Sequence, residues 1–141
     1  MTGAVLTLGL DDPRYLMGLA EQAERLWVGH TSSATVATLG GRLRRYPHAT
    51  VAEDVFPTEE AAFDRALIAL PRGRELARAL LWTALRALRP GGSVMAAGAN
   101  DIGAKTVQKD AEALGAVFTL ANKARHRVFS MQRPAKPATA G

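Results

Sequence analysis

Apolar residues follow two alternating rhythms along this chain. Short β-prone runs at 4–10, 26–31, 49–56, 63–70 and 93–98 are separated mostly by stretches whose apolar positions recur every three or four residues. The first rhythm predicts buried strands and the second predicts amphipathic helices with one inward stripe. After the first strand, Asp12 stands where a side-chain oxygen caps a helix. Pro13 occupies the position where a missing N–H has no partner to lose. Leu16, Leu19, Ala20 and Ala23 give that helix its inward face. Ser32 or Ser33 caps a second helix with Val36, Leu39 and Leu43 inward and Arg42, Arg44 and Arg45 outward, ended by Pro47. Residues 57–62 leave room only for a turn or loop before the fourth strand.

The clearest helix is predicted over 74–88, with Leu76, Leu80, Leu81, Ala84, Leu85 and Leu88 as its stripe. Arg89-Pro90-Gly91-Gly92 is expected to stop it and turn the chain into the fifth strand. A further helix over 103–114 ends at Gly115, and strands at 116–121 and 126–131 close the chain as a basic-tipped hairpin. Five strands with mostly helical returns imply a parallel sheet, since parallel neighbours need a long crossover. The hairpin adds an antiparallel edge.

The chain has 141 residues, 48% of them hydrophobic, enough for one well-buried core. One domain is expected over 1–133, with 134–141, rich in Pro, Ala and Gly, as a disordered tail or linker stub. No apolar run reaches the roughly 18 to 20 residues of a membrane span, and the start lacks the pattern of a signal peptide. A soluble, cytoplasmic protein with no membrane partner is expected. With no cysteine, thiolate metal sites, disulfides and a cysteine nucleophile are excluded. His30, His48 and His126 lack metal-ligand spacing, so no metal is expected, and Trp27 and Trp82 read as packing residues.

Charge adds one asymmetry. Residues 1–64 carry five Arg against nine acids, and residues 65–141 carry thirteen Lys or Arg against four. A basic surface for a polyanion gives this split, and so do arginines scattered over solvated helix faces.

Seven strands in this order, with Leu88-Arg89-Pro90-Gly91-Gly92 before the fifth and a closing hairpin, resemble the class I methyltransferases that use S-adenosylmethionine. The resemblance implies a three-layer Rossmann-like α/β fold with a mostly parallel seven-stranded sheet and an antiparallel C-terminal hairpin. Three segments narrow it: FDRALIALPRGR at 63–74, GANDIGAKT at 98–106 and HRVF at 126–129. Together they resemble the N-terminal domain of bacterial small-subunit ribosomal RNA guanine-N2 methyltransferases. That family carries two methyltransferase-like domains in tandem. The second binds cofactor and bears an Asn-Pro-Pro-aromatic motif, and the first is a degenerate copy implied to help folding and RNA recognition. The resemblance implies ribosomal RNA or a catalytic methyltransferase domain as partner, and a part in rRNA processing.

An active class I domain needs a glycine-rich turn after its first strand, because the backbone passes close to the cofactor. Here Leu8-Gly9-Leu10-Asp11-Asp12-Pro13 has one glycine and two carboxylates. The second strand runs into His30-Thr31-Ser32, where an acid would hold ribose hydroxyls. Glu53 and Asp54 stand where an acid near the adenine is common, so Gly9, Asp11 and Asp54 mark a vestigial pocket. After the fourth strand, Ala69-Leu70-Pro71-Arg72 offers nothing to accept an amine's proton or stack on a base, so no catalytic residue is assigned. No bound cofactor is expected. The alternative is a small S-adenosylmethionine-dependent methyltransferase with an atypical cofactor loop.

Asn100 and Asp101 precede Gly103-Ala104-Lys105-Thr106, which reads either as a phosphate-binding loop at a helix start or as a plain cap with a solvated lysine. It is not a P-loop, because the Gly-Lys-Ser/Thr spacing is absent. Arg72, Arg74 and Lys105 lie beyond the carboxyl ends of strands four and five, where open α/β sheets place their crevice, and are the candidate RNA-binding residues. The position of Arg125 and Arg127 relative to that edge is not fixed by sequence.

Overall fold

The computed structural model describes residues 3–100 and 103–134. Its elements run β1 (Ala4–Leu8), α1 (Pro13–Gln22), β2 (Arg25–Gly29), α2 (Ser33–Arg42), β3 (Ala49–Ala52), β4 (Phe63–Ala69), α3 (Arg74–Ala87), β5 (Leu88–Ala99), α4 (Ala104–Glu112), β6 (Val117–Lys123) and β7 (His126–Gln132). The strands form one sheet in the order β3-β2-β1-β4-β5-β7-β6. The first five are parallel and β7 runs antiparallel to both β5 and β6, as the pattern of runs and crossovers requires.

β1 lies in the middle of the parallel part and all five of its residues are buried. Leu6 and Leu8 face one side, packing with Leu80, Leu81 and Ala84 of α3 and Val107 and Ala111 of α4. Val5 faces the other, in a cluster with Leu16, Leu19 and Ala20 of α1 and Leu39 of α2. Helices thus lie on both faces, and the α/β three-layer reading holds.

The β3–β4 connection has no helix. Val55 packs into the cluster on the α3 side, and Arg25 grips Glu59 through two hydrogen bonds of 2.9 and 2.6 Å. Ala61 and Ala62 donate backbone N–H groups to Arg86 and Ala87 at the end of α3. A loop therefore does the covering that a crossover helix would do elsewhere.

Several boundaries differ from the expected ones. β3 stops at Ala52 rather than near residue 56, because the Asp54 carboxylate turns the chain by accepting the Phe56 N–H at 2.9 Å. α2 ends at Arg42, although Leu43 beyond it is still buried. Leu76 is 41% exposed, since Ala77 in the same turn of α3 faces the sheet and Leu76 falls on the flank. Arg89-Pro90-Gly91-Gly92 is not a free turn. Leu88 already pairs with Phe63, pairing resumes at Ser93 with Arg65, and the residues between bulge out of β5 with Gly91 at φ +83°. That bulge is tied down on both sides. Arg89 bonds Asp64 at 2.7 Å, and the N–H of Arg133 donates to the Gly92 carbonyl at 2.7 Å.

One sheet face is only half covered. Register puts Leu67, Met95, Val128 and Phe118 on the side of α1 and α2; Leu67 is buried in the cluster beneath those helices and Met95 packs against it, while Val128 and Phe118 lie outside that cluster. Phe118 is 64% exposed and Tyr15 49%.

Leu81 is fully buried against this sheet from α3. Leu81→Ala should destabilise the domain by about 2 to 5 kcal/mol in urea denaturation, the range for a leucine deleted from a tight core. A change under about 0.5 kcal/mol, usual for surface positions, would contradict the packing described.

Candidate functional site

The carboxyl ends of β1, β4 and β5 form the rim on which an open parallel sheet binds its ligand. Gly9 follows β1 with φ +84°, a left-handed conformation that suits glycine. Its N–H donates to the Gly29 carbonyl at 2.8 Å, and a Cβ there would stand 3.1 Å from the Ala69 carbonyl oxygen. Gly9 is thus required by the approach of β4 itself. Asp12 caps α1, its Oδ1 accepting the N–H groups of Arg14 at 3.0 Å and Tyr15 at 3.5 Å. Asp11 is exposed and lines a shallow cleft with Ala34, Thr35 and Thr38 of α2.

Above β4 and β5 there is a cleft of about 170 Å³ lined by Leu10, Tyr15, Leu67, Ile68, Ala69, Met95 and Ala97. Cofactor and drug-sized ligands occupy roughly 300–1,000 Å³. The cleft is smaller than that range and, apart from the Tyr15 hydroxyl, presents no polar side chain. At the end of β2, a Cβ on Gly29 would lie 2.2 Å from the Asp54 carbonyl oxygen, so the chain leaving β3 closes the gap between the two strand ends. His30 accepts the Ser32 N–H at Nδ1, 3.0 Å away, and Asp54 holds its own turn. Among the described residues, Gly9, Asp11 and Asp54 thus stand beside neither a glycine-rich turn after β1 nor an acid at the end of β2. Beyond β4, Leu70 is buried and Pro71 and Arg72 follow without an amide or aromatic side chain.

The expected basic edge is only partly free. Arg72 and Lys105 are exposed and make no hydrogen bond or ion pair among the described residues. Arg74 instead ties α3 to α4, with Nη2 2.7 Å and Nε 3.1 Å from the Asp110 carboxylate, and Arg78 stands 3.5 Å from the same group. The hydrogen bonds from Arg74 hold the Asp110 carboxyl below its ordinary value, against a smaller upward push from burial. Asp101 lies outside the described residues. Asn100 is a strut: its Oδ1 accepts from Arg127 Nε at 3.0 Å, its Nδ2 donates to Asn122 at 3.1 Å, and its N–H donates to the Arg125 carbonyl at 2.8 Å. Among the described residues no side chain caps α4, whose first turn follows Gly103 at φ +110°.

Sequence reasoning left the hairpin unplaced. Pairing of Ala99 with His126 and of His126 with Lys123 sets its turn at the carboxyl end of β5, on the same rim as Lys105. Arg127 reaches Asn100 and, through Nη1 at 2.9 Å, Gln108 of α4. Only the register could reveal this, because a hairpin's distance from its neighbours is not encoded in its own residues. Among the described residues no three of His, Asp and Glu gather as a metal site, and no helix is long and apolar enough to cross a membrane.

A seven-stranded sheet of this order and direction, with helices on both faces, is the S-adenosylmethionine-dependent methyltransferase fold. Residues 1–140 match the family described as methyltransferase small domain N-terminal, and the chain belongs to that family. Among solved structures it is similar to the 16S rRNA guanine-N2 methyltransferase RsmC of T. thermophilus in complex with AdoMet and guanosine, at 26% identity and TM-score 0.72. That match covers 95% of this chain and 36% of the other, so this chain spans little more than a third of that protein. It shares its fold with the N-methyltransferase NodS of Bradyrhizobium japonicum in complex with S-adenosyl-l-homocysteine, at 18% identity and TM-score 0.76, covering 93% of this chain and 78% of that one. No curated protein sequence matches.

Because Asp110 is held ionised by Arg74, its folded pKa lies below the unfolded value of about 3.9. Its contribution to stability is therefore present above that value and lost as pH falls through the folded one. Arg74→Ala should move the Asp110 carboxyl titration upward in an NMR pH series, and Arg78→Ala should move it less. An unmoved midpoint in Arg74→Ala would mean that Arg74 is not committed to this pair.

Proposed function

We propose that this domain is a non-catalytic methyltransferase-like partner in ribosomal RNA guanine-N2 methylation, binding RNA and supporting a catalytic methyltransferase domain. The observation that carries this reading is the rim itself, where Leu10, Asp11 and Asp12 follow β1 and Leu10 and Tyr15 line a small, mostly apolar cleft of about 170 Å³. Two further features support it. RsmC of T. thermophilus is almost three times as long as the stretch matched here. The half-bare sheet face, with Phe118 and Tyr15 exposed, is an apolar surface suited to an adjoining domain of such a longer protein.

The rival reading, a small enzyme with an atypical cofactor loop, requires a bare glycine turn after β1 and an acid after β2. Leu10, Asp11 and Asp12 stand in the first place and His30 in the second. Calorimetric titration of the 141-residue chain with S-adenosylmethionine should show no binding. A dissociation constant in the low micromolar range would overturn the non-catalytic reading and favour the enzyme.

A further inference from the structure

The β6–β7 turn collects positive charge that no described acid pairs with. Lys123 and Arg125 are exposed there, Lys105 stands in the first turn of α4 on the same rim, and none has a side-chain hydrogen bond or ion pair among the described residues. Arg127 below them is half-buried and bonds only neutral oxygens, those of Asn100 and Gln108, while its Nη2 has no partner among the described residues. Asp110 of α4 is already paired with Arg74 and Arg78. Asn100 fixes the group by holding both the Arg125 carbonyl and the Arg127 guanidinium.

The turn itself is strained. Ala124 and Arg125 adopt φ of +54° and +66°, the left-handed pair that a two-residue hairpin turn demands and that Asn-Gly satisfies without strain. A side chain as large as arginine works against the backbone there, and strain of this kind is tolerated where the side chain serves a purpose.

We infer that this turn, with Lys105, is the surface that grips RNA phosphates, in place of an edge built on Arg74. The inference rests on the RNA-binding part of the proposed function. Flexible lysines and an arginine on a fixed turn suit backbone phosphates, which set position without reading bases. Binding is then weakly sequence-selective and steeply dependent on salt.

The test uses the 141-residue chain and a fluorescein-labelled RNA stem–loop, followed by anisotropy at 50 and 200 mM KCl. Each phosphate contact contributes a salt slope of roughly 0.7 to 0.9, or about threefold in affinity across that salt range. Arg125→Gly should weaken binding about threefold at low salt while melting at the same or a higher temperature, because glycine relieves the positive φ. Arg125→Lys should bind as the parent does. Combined with Lys105→Ala and Lys123→Ala, Arg125→Gly should cost on the order of 30-fold and lower the slope by about 2 to 3. If the parent binds with a steep salt slope and the triple variant is unchanged, the surface assignment is wrong and the RNA reading stands. If the parent does not bind RNA at all, both fall. Displacement of the RNA by polyglutamate as readily as by unlabelled RNA would overturn the inference in favour of an acidic protein partner.

Discussion

The fold is organised by a strand that has no solvent side. β1 is buried along its whole length and pairs in parallel with β2 and β4, so both of its faces must be covered and both of its neighbours must be reached by long returns. α1 and α2 on one face, and α3 with the β3–β4 loop on the other, answer that requirement. The start of the strand is pinned by Asp64, which accepts the Ala4 N–H at 2.8 Å and bonds Arg89 of β5 at 2.7 Å. One carboxylate thereby sets the relative heights of β1, β4 and β5.

Closing the rim follows from the same constraint. Gly9 stays a glycine because β4 approaches it, and Gly29 because the chain leaving β3 does. Beyond these strand ends, Leu10 and Tyr15 line a cleft of about 170 Å³ above β4 and β5. Both glycines are thus set by the packing of neighbouring strand ends.

Those parts of the molecule whose determinants are local could be read from the sequence. β1 and β4 announce themselves as unbroken apolar runs, Asp12 and Pro13 as a helix start, and Leu80, Leu81 and Ala84 as an inward stripe, because each signal lies within a few residues of what it specifies. Non-local determinants could not be read. Pro90 and Gly91 look like a turn until pairing of Leu88 with Phe63 draws them into β5. Arg74 looks like a free cation until α4 brings Asp110 beside it, and Arg127 has no visible role until the register sets it against Asn100 and Gln108. For the candidate site this meant that the turn residues after β1 and β2 were legible, and the pairing of Arg74 and the place of the β6–β7 turn were not.

The half-covered sheet divides the backbone by how firmly its amides are held. Those of β1 lie between two packed layers, those of β7 beneath α4 alone, and those of β6 at an edge where all but the first residue are exposed. Exchange of amide hydrogens with solvent then proceeds across the sheet in that reverse order, with the β6–β7 hairpin able to open as a unit while the parallel strands stay closed. Among the described strands the least protected pair is thus β6 and β7, held to the rest of the sheet by the pairing of β7 with β5.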